Sequence, residues 1–222
     1  AFVPVVAGLF LIGVLMHRWN REPYRLARVT MEPDQMTLRI FGSKRILFAL
    51  VAYAAFAITW QGAVSFLPTF LHVDKGFSLA IGSTAYALIY GVGMLVSPLA
   101  GNVGDRFSRT HVCMGTLIVC AIGYSIFVFA SSIFAVFVGI AVFATGMWAF
   151  PPVVQALLLS EFENDSMGAD LGGFKTVYTG IGSIGPAFVG FVAEWSSYTL
   201  AYAGFIVCLL VSLVSFTIVW RT

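Results

Sequence analysis

Val112–Ser160, VCMGTLIVCAIGYSIFVFASSIFAVFVGIAVFATGMWAFPPVVQALLLS, contains no Asp, Glu, Lys or Arg along its 49 residues. As one helix it would be about 73 Å long at about 1.5 Å per residue, more than twice the roughly 30 Å hydrocarbon layer of a bilayer. The stretch must therefore cross and turn back. Ser131-Ser132, the adjacent polar pair near its middle, marks a very short hairpin. Outward from it, Ile46–Leu71, Gly76–Gly104 and Trp195–Trp220 are equally free of charge. The whole sequence is 59% hydrophobic and 10% charged, against about 25% charged in a soluble domain. A membrane barrel would alternate in polarity over segments of about ten residues, whereas these runs are apolar on every face. Helices satisfy their own backbone in lipid, so the fold class is an all-α membrane protein.

Segmentation predicts spans near 46–71, 79–100, 111–130, 133–159, 171–193 and 198–220, a six-helix bundle over 46–222. Residues 1–16 are apolar with the charges following at His17 and Arg18, the reverse of a secretory signal. They are read as the end of a preceding spanning helix, and the chain as a fragment lacking an N-terminal six-helix half. Residues 17–45 form the linker between bundles, with Pro23 and Pro33 expected to interrupt any helix there. Alternating sides groups 17–45, 101–110, 160–170 and the C-terminus on one face. That face carries Arg18, Arg21, Arg25, Arg28, Arg39, Lys44, Arg45, Arg106, Arg109 and Arg221, against Lys75 on the other. The positive-inside rule makes the first set cytoplasmic in a plasma-membrane protein. Lys175, a few residues into its helix, is expected to snorkel to the same side.

The net charge of +2 and the absence of a basic stripe argue against nucleic acid. Cys113, Cys120 and Cys208 lie inside apolar segments and read as small hydrophobes. His17, His72 and His111 are scattered, so neither a metal site nor any other cofactor is expected, and no cluster of His or carboxylates suggests an enzyme.

Gly101-Asn102-Val103-Gly104-Asp105-Arg106-Phe107-Ser108-Arg109 is a turn between two spans, with glycines for close approach and an Asp that can pair with a base. It resembles the Gly-x-x-x-Asp-Arg-x-Gly-Arg/Lys loop signature of the major facilitator superfamily, with Ser108 in place of the second glycine and Thr110 where another base is common. The resemblance implies a cytoplasmic gate latch formed by Gly101, Asp105, Arg106 and Arg109, the C-terminal half of a two-bundle fold, and a transporter. The later order of features is similar to helices nine to eleven of that family: a short hairpin, a helix with Gly146, Pro151 and Pro152, an acidic loop, then Gly180-Ile181-Gly182-Ser183-Ile184-Gly185-Pro186. Gly182, Pro186, Gly190 and Glu194 recur every four residues on one stripe, which suits close packing; a gating bend at Pro186 is the alternative role for this Gly182, Gly185, Pro186 and Gly190 segment.

Polar and aromatic groups in mid-span usually face a cavity or another helix. The candidates are Trp60 and Gln61, Tyr86 and Tyr90, Trp148 and Gln155, and Tyr178. No carboxylate lies in the middle of a span, so a titrating acid for a coupling proton is expected in the missing half. Aromatics and amides without a central charge suggest a neutral or amphipathic small organic solute. The reading is a secondary transporter working by alternating access. The alternatives are a seven-span receptor or light sensor, which in its Schiff-base form would want a lysine in the last span, and a channel, which would want a filter loop or charged ring.

Overall fold

The computed structural model describes residues 3–19, 33–162 and 166–221. Residues 1–30 form a unit of their own, whose described part is α1 (Val3–Trp19), an apolar helix with His17 and Arg18 in its last turn. The second unit, residues 31–222, begins with α2 (Pro33–Gly42). This corrects the expectation that Pro33 interrupts a helix. A proline in the first turn costs nothing, because its missing N–H is one that a helix start leaves unused. Pro23 lies outside the described residues.

The expected spans follow as α3 (Lys44–Val73), α4 (Leu79–Arg106), α5 (Arg109–Phe129), α6 (Ile133–Leu159), α7 (Met167–Gly182), α8 (Ile184–Trp195) and α9 (Tyr198–Arg221). With α7 and α8 counted as one crossing, six are long and apolar enough to traverse a membrane. Four starts carry a serine cap: Ser43 accepts from the Ile46 N–H, Ser78 from Ile81, Ser132 from Ala135 and Ser197 from Leu200. Each satisfies a donor that the first helical turn leaves unpaired. Ser131-Ser132 is indeed the hairpin, since α5 stops at Phe129 and α6 starts at Ile133.

α3 is the central helix, packed against α4, α7, α8 and α9. Polar groups along its seam with α9 bond to the facing backbone: Ser212 to the Ala52 carbonyl at 2.8 Å, Tyr202 to the Ala63 carbonyl at 2.6 Å, and Thr59 to the Phe205 carbonyl at 3.4 Å. Such bonds hold helices together where lipid supplies no hydrophobic drive. Cys113 and Cys120 are buried free thiols, as expected for small hydrophobes. α7 and α8 separate at Ser183, because Pro186 has no N–H for the Gly182 carbonyl and its ring crowds that carbonyl. The break therefore falls ahead of the proline that causes it.

At the end of the bundle where α3 meets α4, Asp74 and Lys75 clip two other helices. The Asp74 carboxylate accepts from the backbone N–H of Thr199 at 2.6 Å and from its hydroxyl at 2.8 Å, capping α9. Lys75 donates to the Val128 and Ala130 carbonyls at 2.6 and 2.9 Å, closing the end of α5. Its ammonium also lies 5.4 Å from the Phe70 ring centroid. An anion thus sits on a helix N-terminus and a cation on a C-terminus, the favourable sign in both cases. Burial pushes the Lys75 amine below the ordinary lysine range, and Asp74 beside it works in the other direction. Gly76, at φ +70°, makes the turn, and the Phe77 N–H bonds back to the Leu71 carbonyl at 2.9 Å. Asp74→Ala is expected to lower stability by about 1 to 2 kcal/mol and Asp74→Asn by less, because asparagine keeps the acceptor and loses only the charge. Thermal unfolding of the purified protein in detergent reads both; equal losses would show that the charge contributes nothing.

Candidate functional site

Half-way along α3, Trp60 and Gln61 meet α6 and α7 around a cavity of about 510 Å³. Trp148, Pro151, Pro152 and Gln155 line it from α6, Lys175, Tyr178 and Thr179 from α7, Tyr53 and Ala57 from α3, and Ser97 from α4. Five of the expected cavity residues, Trp60, Gln61, Trp148, Gln155 and Tyr178, are therefore brought together. Tyr86 and Tyr90 are not on this lining. They are exposed neighbours on α4, their hydroxyls 3.3 Å apart, and Tyr90 reaches the site only by packing on Trp148 at 5.7 Å between centroids.

The walls are aromatic and fixed by local sequence. Tyr53 stacks on Tyr178 at 4.0 Å, and its hydroxyl faces the polar ends of Tyr178 and Gln155. Trp60 meets Trp148 edge to face at 5.9 Å. Gly93 lets the Trp148 indole lie directly against α4, since a side chain there would enter the ring. The indole N–H of Trp148 is buried without a partner among the described residues, an unusual state for a buried donor. Pro151 and Pro152 withhold their helical bonds from the Met147 and Trp148 carbonyls. Gln61 answers the cost of an amide in lipid by donating to the Thr179 carbonyl at 3.2 Å, which ties α3 to α7.

Lys175 is exposed and also borders the site. Its side chain lines this cavity and a second, adjoining one of about 530 Å³ with Gln61, Thr176 and Thr179. The wall thus carries a cation, which alters the reading of a site without charge.

At the end of the bundle nearer the Lys175 side, Asp105 and Arg106 close α4 and Arg109 opens α5. Arg109 donates to the Ala156 carbonyl of α6 at 2.9 Å and stands 3.5 Å from the Asp105 carboxylate. Its firmest contact is thus with the end of α6, where a cation suits the helix dipole. Asp105 and Arg106 are exposed, and Gly101 borders open space, so the close approach in this motif belongs to Gly104, packed on Val153. In α7 and α8, Gly182 and Gly185 press on α3 at Ala57, Ile58, Gln61 and Gly62, while Gly190 borders open space. The packing stripe is therefore Gly182, Gly185 and buried Val189, turned from the four-residue stripe by the break at Ser183.

Sequence reasoning missed a clasp at the same end. Arg39 of α2 pairs bidentately with Asp170 of α7, Nε to Oδ2 and Nη2 to Oδ1 both at 3.0 Å, and Ser166 adds a bond of 2.6 Å. Arg45 pairs with Glu161 at 3.0 Å. Asp170 is completely buried. No short-range pattern joins residues 131 apart in the chain.

A family model described as Major Facilitator Superfamily matches residues 1–186 and 83–222. The dipeptide and tripeptide permease A of Serratia proteamaculans is 25% identical over 198 residues, covering 84% of this chain and 38% of the permease. The structure is similar to the crystal structure of the E. coli fucose:proton symporter, with a TM-score of 0.76 and 14% identity, covering 97% of this chain and 53% of that one. It is also similar to a peptide transporter, with a TM-score of 0.66 and 18% identity over 85% of this chain and 41% of that one. The chain spans about half the length, or less, of these relatives.

Proposed function

The chain belongs to the major facilitator superfamily, and from that premise we propose that it supplies one bundle of a secondary transporter that moves a small organic solute by alternating access. The observation that carries this reading is the cavity half-way along the bundle, walled by Trp60, Trp148 and Tyr178 and edged by Gln61 and Gln155. Transporters of this architecture bind near the membrane midplane, between two bundles that rock about the site. The helices that cover the cavity most thinly fit such a partner, since only 22% of the α4 and α7–α8 windows are buried against 67% of α3.

On this reading the arginine-rich end carrying Asp105, Arg109 and the Arg39–Asp170 clasp is cytoplasmic, and the membrane is the plasma membrane. Arg109, by holding the end of α6, sets the gate, with Gly101, Asp105 and Arg106 as its exposed remainder. The break at Ser183 gives α7 and α8 a place to bend. A second six-helix bundle completes the solute path, and a coupling proton would use an acid outside the middle of the described spans, because Asp170 is already committed to Arg39 and Glu194 lies at the end of α8. The reading is of a carrier and not an enzyme, and nothing in the cavity favours a receptor or a channel.

Alternating access is tested at Ser97, on the α4 wall. In the full-length protein with its native cysteines removed, a cysteine at 97 is expected to react with a membrane-impermeant maleimide from both sides of the membrane, in proportions that shift when transported solute is added. Reaction from one side only, unaffected by any solute, would overturn the mechanism. Cysteines at Ser43 and Ser131 are expected to label from opposite sides.

A further inference from the structure

We infer that the solute carries a carboxylate, bound by Lys175, an assignment that rests on the cavity being the solute site. Lys175 is the charged side chain on the walls of both adjoining cavities, and it stands where they meet. Among the described residues its ammonium has no hydrogen bond or ion pair; the described acids with ion pairs, Asp105, Glu161 and Asp170, have arginine partners. A charge within a span is costly unless a partner answers it. Lys175 is exposed, and it lines both cavities next to polar groups that can share its ligand.

The space around it is kept open by sequence. Gly172 and Gly180 flank Lys175 on α7, and a side chain at either would meet nothing within 4 Å. Thr179 lies one helical turn further on, on the same lining, its carbonyl already taken by Gln61. Gln61 keeps a second amide hydrogen after that bond. Lys175, Gln61 and Thr179 thus line one cavity from two helices, and side chains with an ammonium, an amide and a hydroxyl are a set of donors that suits an anion. A compact ammonium on a flexible stem matches a single carboxylate better than a bidentate oxyanion, for which arginine is the better fork. The rest of the cavity is aromatic, so the body of the solute is apolar and lies against Trp60 and Trp148.

The test uses the purified full-length transporter and two probes of one shape, 3-phenylpropionate and 3-phenylpropionamide. Binding is read from tryptophan fluorescence and uptake from proteoliposomes. A charge-assisted bond of this kind corresponds to about tenfold tighter binding, or more, of the acid over the amide. Lys175→Gln is expected to abolish that preference, and Lys175→Arg to retain part of it. Equal binding of acid and amide, binding of neither, or an undiminished preference in Lys175→Gln would overturn the assignment. Acid-selective, Lys175-dependent binding without uptake would support the anion site while sinking the transport reading. Uptake of both probes without charge preference would do the opposite.

Discussion

Arg39→Ala is expected to destabilise the protein by about 3 kcal/mol, far more than removal of an ordinary surface ion pair. The reason lies in its partner. Asp170 is fully buried, and its oxygens are held by two guanidinium nitrogens at 3.0 Å and by the Ser166 hydroxyl at 2.6 Å. Without Arg39 the carboxylate keeps one hydroxyl donor and no countercharge, and breaking a buried pair from one side typically costs about 3 to 5 kcal/mol. The Arg39 side chain is itself 30% exposed, so water enters part of the vacancy and the lower end of that range applies. Arg39→Leu combined with Asp170→Leu should recover most of the loss, because an apolar pair of similar volume removes the stranded charge. Thermal unfolding of the two single variants and the double variant in detergent gives the coupling directly. If the double variant is as unstable as the sum of the singles, the pair is not a unit. The consequence reaches the cavity, since Asp170 begins the helix that presents Lys175, Tyr178 and Thr179. Arg39→Ala is therefore also expected to weaken solute binding.

The membrane crossings were legible because lipid imposes a one-dimensional rule: absence of charge over a fixed length. That rule placed Ser131-Ser132 in the hairpin and all six spans within a few residues of α3 to α9. It also made Trp60, Gln61, Trp148, Gln155 and Tyr178 candidates, because a polar or aromatic side chain in mid-span must face something other than lipid. The same rule is silent on rotation about the helix axis, which is why it groups Tyr86 and Tyr90 with a lining they do not share, although Tyr90 packs on the back of Trp148. It is equally silent on loops. Asp74 and Lys75 read as two charges in a turn, yet they reach α9 and α5. Arg39 and Asp170 meet only after α2 docks beside α7. Pro33 shows a different limit, since one residue type stops a helix from inside and starts one from the first turn.

Glycine is where sequence says least, and there a second large effect is expected: Gly146→Ala should destabilise the folded protein although it favours the helix. By intrinsic propensity the change is favourable, since alanine in a helix interior gains about 0.8 to 1.0 kcal/mol over glycine. Packing reverses the sign. A methyl group at 146 would enter the Thr116 carbonyl and the backbone of Cys120 on α5, atoms that no rotamer change can move. Gly123 and Gly139 meet the opposing backbone along the same seam, at Phe143 and Phe127, so the two helices cannot slide to make room and would have to separate. Overpacking of a rigid contact costs about 1 to 3 kcal/mol and sometimes more, and loss of the neighbouring glycine contacts adds to it. Net destabilisation above about 2 kcal/mol is expected, read as a fall in folded yield and in the unfolding midpoint. Gly115→Ala provides the control on α5, because a side chain there meets nothing within 4 Å and the propensity gain should appear alone, as a midpoint unchanged or raised. If both variants behaved alike, the α5–α6 seam would not depend on backbone contact, and the close pairing of these helices would have to rest on their larger side chains.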